Sequence, residues 1–246
     1  ILKERRARWE ADQLAKMKAT GKAPRDDGWK GKYSQPASPE SRSAAALPPC
    51  WTVASLDELS ERLTSGSRDW SQFYGRGQGT FVLAQNVRPG RLDLSFRQAV
   101  DAPASDPSTE RSRIRMGDLL LTIVGANTGD VCGVRQDVRS HFVCQSVALV
   151  RPVLIETSPF VEWFLVSQEH GQKQFRAFTY GQGRPHLGFE QIAATLIALP
   201  PLPEQHRIVA EVERRLSVVD ELEATVEKNL ARCARLRQSI LKMAFE

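Results

Sequence analysis

The hydrophobic pattern changes period near residue 200. After Pro200-Pro201-Leu202-Pro203 the chain runs to Glu246 with no further Gly or Pro. Apolar residues in this stretch recur at alternating steps of four and three: Val212, Val219, Leu222, Val226, Cys233, Leu236, Ile240 and Met243. With Val212 as an a position, the a series is Val212, Val219, Val226, Cys233 and Ile240. The d series is then Arg215, Leu222, Asn229, Leu236 and Met243, with Leu216 and Leu230 at e. A heptad pattern held this long predicts a coiled coil. Pro203 suits a first helical turn, where its missing N–H is not needed, and Glu204 sits at the positive end of the helix dipole. At ~1.5 Å per residue, about 42 residues make a rod of ~63 Å, which needs a partner helix. Arg215 and Asn229 interrupt the seam, either as buried register-setting groups or as solvated edge positions.

Before residue 200 the pattern is shorter in period. Residues 1–20 are helix-prone with mixed charge, ended by Gly21 and Pro24. Residues 34–46 read as a flexible Ser/Pro/Ala linker. A globular domain is expected from Leu47 to about Pro200. Ser55-Leu56-Asp57-Glu58 is a capping box, predicting a short helix to about Leu63. Thr64 to Gly75 reads as a polar, aromatic-bearing loop, with Gly75, Gly77 and Gly79 adding flexibility. Thr80 to Ala84 is expected as a strand, Asn86 to Gly90 as a turn and Asp101 to Ser112 as a loop. The apolar run Leu119 to Val124 predicts a fully buried strand, followed by a loop Gly125–Asp130 and strands over 131–135 and 143–151. Ser158-Pro159 opens a helix to about Phe178, with Phe160, Val161, Phe164 and Leu165 inward. Thr179 to His186 is a second polar, Gly-rich loop, followed by a helix over 187–193 and a strand over 196–199. The fold class predicted is an α+β domain followed by a long coiled-coil helix.

Composition narrows the class. With 246 residues and 41% apolar content the chain can bury one sizeable core plus appendages. No apolar run is long enough to span a bilayer, and there is no signal-peptide pattern. Cys50, Cys132, Cys144 and Cys233 form no C-x-x-C pair and read as reduced thiols of a cytoplasmic protein, not as metal ligands. The chain begins at Ile1 inside a helical pattern and ends at Glu246 without a helix stop, so a piece of a longer protein is expected.

The net charge of +5 is unevenly placed. Residues 1–35 hold ten Lys/Arg against five Asp/Glu, while residues 48–200 hold fifteen of each and 201–246 eight of each. Charge alone therefore does not mark the domain as nucleic-acid binding. Residue type does stand out, because the domain has fourteen Arg and one Lys, Lys173. Arg offers planar, bidentate hydrogen bonding where Lys offers a point charge.

Several stretches, in this order and spacing, resemble the specificity subunits of type I restriction–modification systems. They are Gly117-Asp118-Leu119-Leu120 through Asn127-Thr128-Gly129, the loop from Tyr180 to Leu187, and Leu199-Pro200-Pro201-Leu202-Pro203-Glu204-Gln205 before the heptad helix ending Leu241-Lys242-Met243-Ala244-Phe245-Glu246. The resemblance implies that residues 1–33 are the end of a central helical connector, 47–200 one target recognition domain, and 201–246 the helix that follows it. It implies a non-catalytic chain that reads one half of a split site in double-stranded DNA. A second recognition half would pair through antiparallel helices, so the chain is either half of a subunit or a dimerising half-subunit. Partner methylation subunits would supply chemistry with S-adenosylmethionine, and a motor–nuclease subunit would use ATP and magnesium; this chain would need no cofactor. The sequence agrees: it has no Asn-Pro-Pro-aromatic tetrad, P-loop or Glu-x-Lys pair, and its four His are scattered. The competing class is a structural adaptor whose middle domain binds protein.

Within that resemblance, two loops hold groups able to read DNA: Ser65, Gly66, Ser67, Arg68, Trp70 and Tyr74 in the first, Gln182, Arg184 and His186 in the second. Arg can bond guanine O6 and N7, Gln can bond adenine, and Ser or backbone N–H groups contact phosphate. Each has a structural alternative. Trp70 and Tyr74 suit core packing, Arg68 an ion pair with Asp69, His186 a satisfied loop position, and Asn127 a turn.

Overall fold

The computed structural model describes every residue except 22, 23, 25, 37, 39–46, 69, 105, 139, 180–184 and 246. The chain divides into two compact units, Ile1–Leu202 and Pro203–Glu246.

The first unit opens with α1 (Leu2–Ala19). Thr20 closes it, its hydroxyl donating to the Lys16 and Met17 carbonyls at 3.1 and 3.0 Å. This helix packs on the body through Arg5, which donates to the Ser60 carbonyl at 2.8 Å, the Tyr33 hydroxyl at 2.8 Å and the Asp57 carboxylate at 3.0 Å. Trp9 stacks on Trp29 and meets Tyr33 edge-on.

The body begins with β1 (Thr52–Ser55) and α2 (Leu56–Leu59). The capping box forms as expected: Glu58 N donates to Ser55 Oγ at 3.1 Å, and Ser55 N to Glu58 Oε2 at 3.0 Å. The helix lasts one turn, not to Leu63, because β2 (Ser60–Ser65) takes the next residues into the sheet. Here tertiary pairing overrides local propensity. β3 (Tyr74–Val82) begins six residues earlier than expected. Its glycines make a bulge rather than a flexible tether: Gly75 and Gly77 take φ of 72° and 73°, and the register against the next strand shifts between Tyr74 and Gly79.

The short strands β4 (Val87–Arg88), β5 (Arg91–Leu92) and β6 (Gln98–Val100) follow. α3 (Pro107–Ser112) replaces part of an expected loop. Asp106 caps it, accepting from Ser108 N at 2.7 Å with Pro107 in the first turn, a start signal that the Pro/Ser/Asp composition obscured. Then come β7 (Leu119–Thr122), β8 (Val131–Gly133), β9 (His141–Val143) and β10 (Val147–Pro152). The single strand expected over 143–151 is thus two strands separated by a turn.

The helix expected from Ser158 to Phe178 is also two, α4 (Ser158–Val166) and α5 (Gly171–Phe178). The break is held by Gln172, whose amide donates to the Leu165 and Gly129 carbonyls at 2.9 and 2.8 Å. Phe160, Val161 and Leu165 are buried as predicted, and Phe164 is half-buried. α6 (Phe189–Ala193) and β11 (Leu196–Leu199) complete the body.

The largest sheet has the order β2-β10-β7-β8, all antiparallel. A mixed sheet, β6-β3-β9, shares its core: Leu120, Val147 and Leu149 of the first sheet cluster with Phe81, Val82, Val100, Phe142 and Val143 of the second. β1 pairs with β11, and β4 with β5. All four residues of β7 and all six of β10 are buried, which is why their sequences are apolar except for Thr122 and Arg151.

One charge sits inside this apolar sheet. Arg151 of β10 donates to both oxygens of Asp118, at 2.8 and 2.7 Å, and to the Arg113 carbonyl at 3.1 Å. The Arg115 N–H adds a third bond to Asp118 at 2.7 Å. Burial pushes the Asp118 carboxyl above its usual range, with Arg151 pulling the other way.

The second unit is a single helix, which with its entry residue is α7 (Leu202–Phe245), 44 residues long or ~66 Å.

Asp118→Ala should destabilise the first unit by ~3–5 kcal/mol, because it strands the Arg151 guanidinium in the sheet. Urea unfolding measures this; a loss below ~1 kcal/mol would mean that Arg151 finds another partner.

Candidate nucleic-acid interface

The two polar loops singled out in the sequence, some 120 residues apart, meet at one open cleft of about 500 Å³. Ser65, Gly66 and Arg68 of the first loop and His186 of the second line it, with Ile123, Val124, Gln145, Ser146 and Phe189.

Backbone bonds bring these pieces together. Ser65 ends β2 opposite Ala148 of β10. Gly66 N then donates to the Cys144 carbonyl at 3.2 Å, and Ser67 forms a parallel bridge with Cys144. A side chain at Gly66 has no room, because a Cβ there would lie 1.6 Å from the Val143 carbonyl oxygen. Gly66 is therefore the residue that lets the first loop press against β9. On the other side, Val124 bridges His186, and Leu187 N donates to the Ile123 carbonyl at 3.0 Å. The Pro185 carbonyl accepts from Gly125 N at 3.3 Å and from the Thr128 hydroxyl at 3.1 Å. The loop over 125–130 thus braces the second polar loop. Asn127 accepts from Asp130 N through its carbonyl at 3.0 Å, which is a turn role.

The predicted residues divide. Arg68 is exposed, and its guanidinium has no ion-pair or hydrogen-bond partner among the described residues. Asp69 lies outside them. Ser65 and His186 are half-buried at the cleft, while Ser67, also half-buried, does not line it. Gln182 and Arg184 lie outside the described residues.

Trp70 belongs to the core, at 1% exposure. It stacks on Phe81 and meets Phe142 edge-on, both with ring centroids 5.5 Å away, and its indole N–H donates to Asp106 at 3.0 Å. That bond and a backbone bond from Ser108 hold the Asp106 carboxyl below its usual range, the backbone bond contributing more. Trp70 therefore anchors the loop from beneath, and its ring has no face left for a base. Tyr74 packs on Phe81 at 5.4 Å and does not line the cleft; burial raises its phenol.

Gln145, Ser146 and Phe189 escaped the sequence reading. Gln145 and Ser146 sit in the turn between β9 and β10, closed by Val147 N donating to the Cys144 carbonyl at 3.2 Å. The apolar residues on both sides made the segment read as one strand. Phe189 opens α6 but remains 40% exposed. All four cysteines are free, with Cys132 and Cys144 buried and their thiols pushed up by desolvation. Among the described residues no group of three His, Cys, Asp or Glu is arranged to hold a metal.

Comparison with known proteins places this geometry. A type I restriction modification DNA specificity domain matches residues 112–232. The specificity subunit of the type I restriction enzyme EcoBI of Escherichia coli is 30% identical over 160 residues, covering 65% of this chain and 33% of that one. The EcoKI specificity subunit of Escherichia coli strain K12 is 27% identical over 164 residues, covering 65% and 35%. The chain thus spans about a third of the length of these two relatives. Among solved structures, a chain from a study of complex assembly and conformational transition of the type I R-M system aligns over 98% of this chain and 53% of its own length, with a TM-score of 0.62 and 22% identity. The HsdS subunit from Thermoanaerobacter tengcongensis aligns over 72% and 44%, with a TM-score of 0.51 and 23% identity. These two likenesses establish a shared fold.

Gly66→Ala should destabilise the first unit by ~1–3 kcal/mol, because the new methyl group must push β9 and the loop apart. Arg68→Ala, on the exposed rim, should change stability by less than ~0.5 kcal/mol. Urea unfolding of the two variants side by side gives the contrast; equal stabilities would show that the loop is not pressed against β9.

Proposed function

Because the chain carries the DNA specificity domain of the type I restriction–modification family, we propose that it reads one half of a bipartite DNA site through the cleft between its two polar loops. It is a non-catalytic specificity component. In this reading residues 47–200 are the target recognition domain, 1–33 the end of a helical connector, 34–46 a linker, and 201–246 a spacer helix.

The observation that carries the reading is the convergence of loops 120 residues apart on one cleft, with the exposed Arg68, which has no partner among the described residues, at its rim. An unpaired guanidinium presents a planar fork that suits guanine O6 and N7. Ser65, Ser67 and the backbone around Gly66 suit phosphate contacts. His186 joins from the second loop, in which Gln182 and Arg184, outside the described residues, suit adenine and guanine edges by residue type.

The helix supports a second part of the reading. Taken by itself, α7 exposes Val219, Leu222, Val226, Leu236, Ile240 and Met243 at between 46% and 74%, and Cys233 is exposed too. Val212, the first seam position, is half-buried. A stripe of this length suits a second helix packed along it, joining this chain to a second recognition half in an antiparallel pair. Arg215 turns away from such a seam, bonding Glu211 along the helix at 2.6 Å. Arg214 and Arg215 together hold the Glu211 carboxyl down to about 2. The partners implied are double-stranded DNA, the methylation subunits and the motor–nuclease subunit. S-adenosylmethionine, ATP and magnesium would belong to those subunits, and the assembly would work in the cytoplasm. No helix among the described residues is long and apolar enough to cross a membrane.

Arg68→Ala and Arg184→Ala should each weaken binding to the mapped site by ~1–3 kcal/mol, read as equilibrium binding of the assembled methylation complex. Wild-type affinity should fall steeply with salt. Salt-independent association, or unchanged affinity and specificity in both variants, would favour a protein-binding adaptor.

Val219→Asp with Leu222→Asp should abolish co-purification with the second half, because two charges would be desolvated in the seam. The first unit should keep its unfolding curve. Retained pairing would mean that the helix docks by another face.

A further inference from the structure

We propose that Gln145 and Phe189 read one A·T base pair from the major groove, Gln145 on the adenine edge and Phe189 on the thymine methyl group. The inference rests on the cleft being the DNA-reading surface, and it adds residues and a base identity that the reading above does not contain.

Gln145 is held out on a rigid mount. Its turn is fixed on three sides: Gly66 N donates to the Cys144 carbonyl at 3.2 Å, Ile123 N to the Ser146 carbonyl at 2.9 Å, and Cys144 N to the Val82 carbonyl at 3.0 Å. The neighbours Cys144 and Val147 are buried, while Gln145 is exposed. Its amide makes no hydrogen bond with any described residue. A side chain whose backbone is fixed and whose donor and acceptor are both open is preorganised for an external partner. An amide carries one donor and one acceptor side by side, which matches adenine N7 and N6.

Phe189 shares the cleft with Gln145 and Arg68. Its helix is anchored by others, since Leu187 and Ile192 are fully buried. Phe189 is therefore not needed to seat α6, and it places a large, 40% exposed apolar face in a cleft whose other apolar lining is the smaller Ile123 and Val124. Such a group has nothing to offer a cytosine amine, but it can cover a thymine C5-methyl. In the major groove the adenine N6/N7 edge and the thymine methyl belong to the same A·T pair. An amide and an aromatic ring lining one cleft are the two complements of that edge.

The test uses the chain assembled with its methylation subunits, once its site has been mapped from methylated adenines. Duplexes carry deoxyuridine for thymine, removing only the methyl, or 7-deazaadenine for adenine, removing only the N7 acceptor. At one base pair, uracil should weaken wild-type binding about four-fold, a single buried methyl group, and leave Phe189→Ala unaffected. At the same pair, 7-deazaadenine should weaken wild-type binding about five-fold and leave Gln145→Ala unaffected. Gln145→Ala should also lose roughly 5- to 140-fold of its discrimination there. Both side chains are exposed, so loss of fold does not confound either variant. If site-specific binding persists with every position equally sensitive in wild type and variants, or if the two effects fall on different base pairs, the inference is overturned alone. If the complex shows no site-specific binding through this chain, the DNA reading falls and takes the inference with it.

Discussion

The cleft depends on the two-sided pairing of one strand. β10 hydrogen-bonds to β2 along one edge and to β7 along the other, so Ala148 faces both Ser65 and Leu121. Neighbouring strands lie ~4.8 Å apart, which fixes the separation of the chain leaving β2 from the chain leaving β7. The first of these becomes the loop at Gly66 to Arg68; the second runs through Ile123 to the bridge with His186. The turn bearing Gln145 enters β10 between them. The cleft is the open end of a three-strand ladder, and each wall is the continuation of a strand whose register the core sets. A one-residue slip of β10 would exchange the two buried faces its side chains pack against and strand Arg151 away from Asp118, so the register that protects the core also protects the site.

Legibility followed periodicity. The long helix and the buried run of β7 declared themselves through sustained patterns, and β11 matched its expected limits at Leu196 and Leu199. Short elements did not. β2 was hidden by the capping box that precedes it, because a helix start signal says nothing about how soon the sheet reclaims the chain. α3 carried a sound start signal, Asp106 before Pro107, inside a composition that reads as loop. Of the site, the two polar loops were visible through residue type, but their meeting was not. Only the pairing of β10 with both neighbours, and the missing side chain at Gly66, places one loop against the other. Trp70 shows a different limit: its type suited either a DNA contact or core packing, and only the fold decides, its indole serving the core and bonding Asp106.

The buried Asp118–Arg151 pair contrasts with the cleft. Both involve Arg, and the difference is satisfaction. Arg151 spends its donors on two carboxylate oxygens and a carbonyl, so the sheet tolerates the charge. Arg68 bonds nothing among the described residues, and its side chain is exposed to water. A cation solvated at the rim of a preformed cleft exchanges water for an anionic or acceptor-rich partner at little cost in rearrangement. The same holds for the amide of Gln145. The buried ion pair is closed on itself, whereas Arg68 and Gln145 lie open where the strands end.

The helical unit is incomplete in the complementary sense. What α7 leaves unmatched is mainly apolar: a stripe from Val219 to Met243, interrupted at Asn229 and preceded by Arg215, which bonds Glu211. Open polar groups suit a ligand that offers directional hydrogen bonds. An open apolar stripe suits a surface recruited through area, with its period fixing which surface fits. On the proposed reading, a chain built this way separates what is read from how the reading domains are held. Substitutions at Arg68 or Gln145 would then alter the first without touching the second. A change in the number of heptads would alter the second while leaving each half-site as it was.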